Sequence, residues 1–339
     1  MQQNIARHLP QTEVDETIFD NDDPFFGLLG QKSGRDDLWL GKTAPRYTSY
    51  PPATAFQNDI VTVQDYRTLL GQVAAEAPLS LYLHLPYCKA MCLYCGCHTC
   101  ATQKQEEVTD YLSYVHKELE EIATSAPRQR RISQVHLGGG SPNMMSEKDF
   151  GLYFGALARR FDMSACKEVA IELDPRLITK AQARTMRMVG ITRVSLGVQD
   201  FNPEVQQAIG RVQSFDMIKE ACETLREAGI ENINFDLMYG LPFQSPASMA
   251  GTARLAASLK PDRIALFSYA HMPQVKKHQR ALEKYMMPGA HASITMEATA
   301  RNVLLEEGYE AIGLDHFALP ADSMAKAYKK GQVQRNFQG

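Results

Sequence analysis

The stretch LYLHLPYCKAMCLYCGCHTC, Leu81 to Cys100, joins two signals. Its first half belongs to a short apolar run, Ser80 to Tyr87, too short for a core helix and of the composition buried strands have. Its second half crowds five cysteines into the thirteen residues Cys88 to Cys100, the first three spaced Cys88, Cys92, Cys95. Three thiolates on one short loop can each hold one corner iron of a four-iron cubane, which leaves the fourth iron free to bind a substrate. Redox chemistry is therefore the leading reading, and two other uses stay open. Zinc takes tetrahedral sets of four ligands, and Cys95, Cys97, Cys100 and His98 could supply some of them. A structural disulfide fits less well, because the chain has an odd seven cysteines, no signal peptide is expected, and its length can build a core without staples.

Outward from this loop, short apolar runs recur: Gln134–Leu137, Val169–Leu173, Arg193–Val198, Ile233–Met238, Arg263–Tyr269 and a weaker Tyr309–Leu314. Amphipathic stretches lie between them. Val108, Tyr111, Leu112, Val115, Leu119 and Ile122 keep a three-four spacing, with Glu118, Glu120 and Glu121 off the stripe. Similar patterns fill Glu147–Arg160, Lys180–Val189, Ile218–Ala228, Met249–Leu259 and Ala292–Glu307. The alternation predicts an α/β fold, with parallel strands closed fully or partly into a barrel and chemistry at the strands' carboxyl ends. The polar residues obey that rule. Cys88, Gly138 to Pro142, Glu172 to Pro175, Gln199-Asp200, Asp236 with Tyr239 to Pro242, and Tyr269 to His271 punctuate six successive strand ends. One site assembled from all six explains this better than six unrelated loops, although glycines and prolines also end strands for purely structural reasons.

Composition narrows the class. With 339 residues, 44% hydrophobic residues and a formal charge of −3, the chain reads as globular. No apolar run approaches the roughly 20 residues of a bilayer span, and no basic stripe suggests nucleic acid. The first 43 residues read as a mobile acidic arm, with six acids between Gln11 and Asp23, unlike an acid-poor transit peptide. A cytoplasmic location is expected, since free thiols and clusters persist in reducing surroundings. Residues 44–79 are expected to form an amino-terminal segment and residues 80–339 the partial barrel.

The cysteine loop is similar to the cluster motif of radical S-adenosylmethionine enzymes. The longer string YLHLPYCKAMCLYCGC (Tyr82 to Cys97), with HLGGGSPN, IELDP, SLGVQDF, FDLMYGLP, SYAHMP, RNFQG and, upstream, PRYTSYP (Pro45 to Pro51), resembles the oxygen-independent coproporphyrinogen III oxidase family from about Ala44 to Gly339. That resemblance implies a partial (β/α) barrel of radical S-adenosylmethionine type. It implies oxidative decarboxylation of coproporphyrinogen III to protoporphyrinogen IX in haem biosynthesis, begun by a deoxyadenosyl radical. Cys88, Cys92 and Cys95 would bind a 4Fe-4S cluster. Tyr82, Gly139, Gly140 and Glu172 would contact one S-adenosylmethionine, with Glu172 on the ribose. Tyr94, Gly140, Ser141, Gln199, Arg211, Asp236 and Ala270 would contact a second.

Read without the resemblance, Tyr82 is a core tyrosine, Glu172 a surface acid and Arg211 a solvated residue. The resemblance would further place the segment 44–79, with Arg46, Tyr47 and Tyr50, near the substrate site and Phe337 and Gln338 near the cofactors, whereas the bare residues Arg46 to Tyr50 read as a turn before Pro51 and Pro52. Gly96-Cys97 favours the oxidases over related haem-binding or haem-delivery paralogues without oxidase activity, which remain the alternative. Cys100, Cys166 and Cys222 match no role and are expected as small buried hydrophobes. An electron donor and an electron acceptor are implied but not identified, and a monomer is expected. The resemblance also implies a covering carboxy-terminal domain. Since the chain stops at Gly339, directly after RNFQG, that domain is expected to be absent, and the 339 residues alone are expected to bind a cluster but turn over poorly.

Overall fold

The structure, a computed structural model, describes residues 61–74, 76–125 and 130–333. The expectations for Arg46, Tyr47, Tyr50, Phe337, Gln338 and the acidic arm lie outside them. The first described helix is α1 (Val63–Gln72), followed by β1 (Leu79–Leu85), α2 (Gln105–Ser125), β2 (Ile132–Gly139), α3 (Glu147–Arg160) and β3 (Glu168–Leu173). Next come α4 (Lys180–Met188), β4 (Arg193–Gln199), α5 (Pro203–Ala208), α6 (Phe215–Glu227), β5 (Asn232–Tyr239), α7 (Pro246–Ser258) and β6 (Arg263–Ser268). After α8 (Ala290–Glu306) the chain ends its described part with β7 (Glu310–Gly313), β8 (His316–Ala318) and α9 (Ser323–Lys329). Thr62, Ser146, Thr179, Asn202, Ser214, Ser245 and Asp322 cap α1, α3, α4, α5, α6, α7 and α9, each side chain accepting a backbone N–H of the first turn.

Strands β1 to β6 lie side by side in chain order, all parallel, so the fold is the α/β partial barrel expected. The sheet is open. It starts at β1 and ends at β8 and β7. Here the structure departs from the sequence reading: the run Tyr309–Leu314 is not a seventh parallel strand. The chain reverses over Leu314 and Asp315, Leu314 taking a positive φ of 52°, and β8 returns antiparallel to both β7 and β6.

The strands also alternate rather than being apolar on both faces. Leu83, Leu85, Val135, Leu137, Ile171, Leu173, Val194, Leu196, Ile233, Phe235, Ile264 and Leu266 are buried under the surrounding helices, each such side chain contributing about 1.5–3 kcal/mol on transfer from water. The residues in between, including Tyr82, His84, His136, Glu172, Ser195, Asn234 and Asp236, occupy the opposite face, since successive side chains point to opposite sides. That second face is polar because it lines the barrel interior. At its amino-terminal end Arg193 and Arg263 share Glu168 and Asp322, which ties α9 to the bottom of the barrel.

Candidate active site

The cysteine loop is closed at its base. Tyr87–Cys88 pairs in parallel with Cys100–Ala101, and Thr102 N–H donates to the Cys88 carbonyl at 2.9 Å. Leu93 N–H reaches the carbonyl of Ile209 after α5, which anchors the loop across the barrel mouth. All seven cysteines are free thiols. Cys92 is buried, while Cys88 and Cys95 are half-buried. Cys222 is buried as expected, but Cys100 is exposed because its two-residue strand lies outside the main sheet.

The three loop thiols suit a cluster. A hydrogen bond from Cys97, with Thr99 and the His278 charge helping against burial, pulls the Cys95 thiol down to about 5, while Cys97 is pushed up. Within the pair Cys95 is the sulfur shifted toward the thiolate, the form that binds metal. Burial raises Cys88, partly opposed by Ser141, and the charges of Cys92 and Cys95 raise it further, so the three sulfurs sense one another. Among the described residues no group of three or more His, Cys, Asp or Glu is gathered tightly enough for a single ion. Cluster ligands sit on separate irons and need no such convergence.

The carbonyls of this loop are held from the far side of the barrel. Gln279, fully buried, donates to Tyr94 O at 2.9 Å and Ala270 O at 3.2 Å and accepts from Met272 N–H at 2.6 Å. His278 Nε2 lies 2.8 Å from Cys95 O, and Lys276 Nζ donates to Cys97 O at 2.6 Å. The backbones at Tyr94 and Ala270 are therefore brought together by one glutamine that the sequence reading did not single out.

Gly140 is needed for packing within the chain itself. Its N–H donates to Leu85 O at 2.7 Å, and Ser141 N–H to Tyr87 O at 2.8 Å. A Cβ at Gly140 would stand 2.5 Å from the Tyr87 carbonyl oxygen and 2.9 Å from that of Leu85. The missing side chain at Gly140 thus serves the close approach of its backbone to the root of the cysteine loop. Gly140→Ala is expected to lower stability by about 1–3 kcal/mol through overpacking and to displace the loop. A fall in urea midpoint together with poorer iron retention checks this, and wild-type values for both contradict it.

Glu172 faces Gly139, whose N–H donates to Oε2 at 3.3 Å, and His136, whose Nε2 lies 2.9 Å from Oε1. Tyr82 is not a core tyrosine: it is 38% exposed, its ring stacks on His136 with centroids 5.8 Å apart, and its hydroxyl is 3.1 Å from His84 Nδ1. Asp236 accepts from Ser195 Oγ at 2.9 Å and Asn234 Nδ2 at 2.9 Å. Burial, then the Glu172 charge, pushes its carboxyl up to about 7 despite those bonds. Gln199 is buried and holds a positive φ of 67° at the end of β4, a conformation that costs a non-glycine residue about 1–3 kcal/mol and clusters at functional sites.

Arg211 overturns its bare reading as a solvated residue. It is 8% exposed, donating from Nη2 to Gly197 O at 2.9 Å and from Nε to Gln213 Oε1 at 3.2 Å, with Asp174 3.7 Å away. Burial would lower its guanidinium, but Tyr94, Asp174 and Cys92 outweigh that and hold it charged. Asp174 in turn is paired with Arg176 at 2.6 Å. Burial acts to raise Asp174, yet the Arg176 hydrogen bond and the Arg211 charge keep it below the ordinary carboxylate range. His136, Asp174 and Gln279 are the residues the sequence reading missed. The first two lie inside motifs it quoted, and the strand alternation would have placed His136 beside Glu172. Gln279 carries no local signal.

The described helices include none long and apolar enough to cross a membrane. The family profile "Radical SAM superfamily" matches residues 82–256. The chain is 42% identical over 295 residues to the oxygen-independent coproporphyrinogen III oxidase of Bradyrhizobium diazoefficiens, covering 87% of this chain and 65% of that one. It is 38% identical over 301 residues to the Escherichia coli enzyme of the same name, covering 88% and 64%. The solved coproporphyrinogen III oxidase of Escherichia coli, described as a radical SAM enzyme, superposes with a TM-score of 0.81 at 37% identity, covering 86% of this chain and 67% of that one. The chain thus spans just under two thirds of the length of these curated relatives.

Proposed function

Because the chain belongs to the radical SAM superfamily and, within it, to the oxygen-independent coproporphyrinogen III oxidase family, we propose that it takes part in the oxidative decarboxylation of coproporphyrinogen III to protoporphyrinogen IX. The observation that carries this reading is the placement of Cys88, Cys92 and Cys95 on one loop at the mouth of a barrel whose interior presents Glu172, Asp236 and Arg211. When bound, a 4Fe-4S cluster supplies the electron that cleaves S-adenosylmethionine and so starts hydrogen removal from a propionate side chain. The three cysteines would hold it.

Glu172, fixed by His136 and Gly139, would present its carboxylate oxygens to the ribose hydroxyls. Tyr82 would pack against the same cofactor. Tyr94, Ser141, Gln199, Arg211, Asp236 and Ala270 would line a second S-adenosylmethionine, where Arg211 suits a carboxylate. Low-potential electrons would come from a donor of a reducing cytoplasm.

The test is anaerobic reconstitution with iron and sulfide, followed by dithionite, S-adenosylmethionine and coproporphyrinogen III. Release of deoxyadenosine with carbon dioxide and vinyl product is expected. Glu172→Gln should weaken S-adenosylmethionine binding about tenfold or more, because a hydrogen bond to a charged group is worth about 1.5–3 kcal/mol. Deoxyadenosine without carbon dioxide would point to another substrate, and stoichiometric haem binding without either product to a haem-delivery protein.

A further inference from the structure

Each of the three cysteines expected to hold the cluster has its own side-chain hydrogen-bond partner. Ser141 Oγ donates to Cys88 Sγ at 3.5 Å, Arg211 Nη1 donates to Cys92 Sγ at 3.5 Å, and Thr99 Oγ1 lies 3.8 Å from Cys95 Sγ. A thiolate has no proton, so between the two the Thr99 hydroxyl is the donor, with Met91 Sδ at 3.9 Å the competing acceptor for its one hydrogen. We propose that Ser141, Arg211 and Thr99 form a set of positioning donors to the cluster thiolates that raises the reduction potential of the cluster, with the charged Arg211 contributing most. The inference rests on the cluster reading above and assigns Arg211 a role that precedes any second cofactor.

The physical ground is charge. One electron, taken from a low-potential reductant such as dithionite, adds one negative charge to the cluster and its sulfurs without making or breaking a bond. Donors aimed at those sulfurs stabilise the reduced form more than the oxidised one and so raise the potential. A buried cation does this more strongly than a hydroxyl, because little water screens it. Arg211 is seated for this purpose by Gly197 O, Gln213 and Asp174. Asp174 offsets part of its charge, but Arg176 also engages Asp174, which leaves two guanidinium groups to one carboxylate near Cys92. The absence of a side chain at residue 197 makes room for this seat: a Cβ there would lie 3.0 Å from Arg211 Nη2 and 2.9 Å from Gln199 Nε2, so both side chains would have to shift.

The experiment is a redox titration of the reconstituted protein followed by electron paramagnetic resonance, without S-adenosylmethionine. Arg211→Gln is expected to cut the reduced-to-oxidised ratio at a fixed potential about tenfold, a midpoint lower by about 59 mV for one electron. Gly197→Ala keeps the charge but displaces it, and its midpoint should fall in the same direction by less. Thr99→Val and Ser141→Ala should each give a smaller fall, and they decide the matter if Arg211→Gln takes up no cluster. Cluster-loaded variants whose midpoints all equal the wild type overturn the inference alone. A wild-type protein that takes up no cluster overturns the underlying reading, and the inference with it.

Discussion

Cys92→Ala is expected to abolish cluster assembly and, with it, reductive cleavage of S-adenosylmethionine. Two remaining thiols can hold at most two corners of a cubane, and neither Cys97 nor Cys100 is placed to substitute. Cys97 is engaged with Cys95, and Cys100 points its sulfur at Pro86 O. Cys92 is also the most deeply buried of the three, at 7% exposure, and it faces the Arg211 guanidinium. Its loss therefore removes a ligand and leaves a buried cation short of a partner. Cys100→Ala is the matched control: an exposed thiol away from the cluster position should change stability by no more than about 0.5 kcal/mol and leave iron uptake intact. Iron and sulfide content with deoxyadenosine yield decides between them. A Cys92→Ala protein that still cleaves S-adenosylmethionine removes the basis for the site.

The largest effect on stability should come from Asp322→Ala, far from the chemistry. Asp322 is 6% exposed and accepts from Arg263 Nε at 2.9 Å and Arg193 Nη2 at 3.2 Å, while its Oδ1 also caps α9 at Met324 N–H. Removing it leaves two arginines to share Glu168 at the amino-terminal end of the strands. Breaking a buried pair from one side costs about 3–5 kcal/mol.

Burial acts to raise the Asp322 carboxyl, but the Arg263 charge and the bonds from Met324 and Arg263 outweigh it and hold it low. With the folded value depressed, its stabilisation is fully present above the unfolded value near 3.9 and is lost as pH falls through the folded value. The gap between wild type and Asp322→Ala should thus be wide at pH 7 and narrow in acid. Denaturant midpoints and amide exchange in β8 and α9 measure it. A gap below about 1 kcal/mol at pH 7 would contradict the buried-network account.

What the sequence made legible follows from what repeats locally. Apolar runs ending in Cys88, Gly139, Glu172, Gln199, Asp236 and Ala270 mark strand ends, and in a parallel α/β sheet those ends share one rim. Six strands and the helices between them are accordingly found close to their expected bounds. Arg211 was not legible from its neighbours. Its burial depends on α5 and the turn at Gly210 folding back beneath β4, and on Gly197, fourteen positions earlier, making room. Gln279 acts through backbone carbonyls about 185 positions away, a contact with no local pattern. The hairpin β7–β8 was misread because strands of four and three residues are too short to show a period, and Leu314 in the reversal looks like strand continuation.

The central claim is a cluster with one corner left open for S-adenosylmethionine, and anoxic electron paramagnetic resonance of the reconstituted, dithionite-reduced protein tests it most directly. The account predicts a 4Fe-4S signal that changes shape when S-adenosylmethionine is added. No such signal, or one indifferent to S-adenosylmethionine, would contradict it.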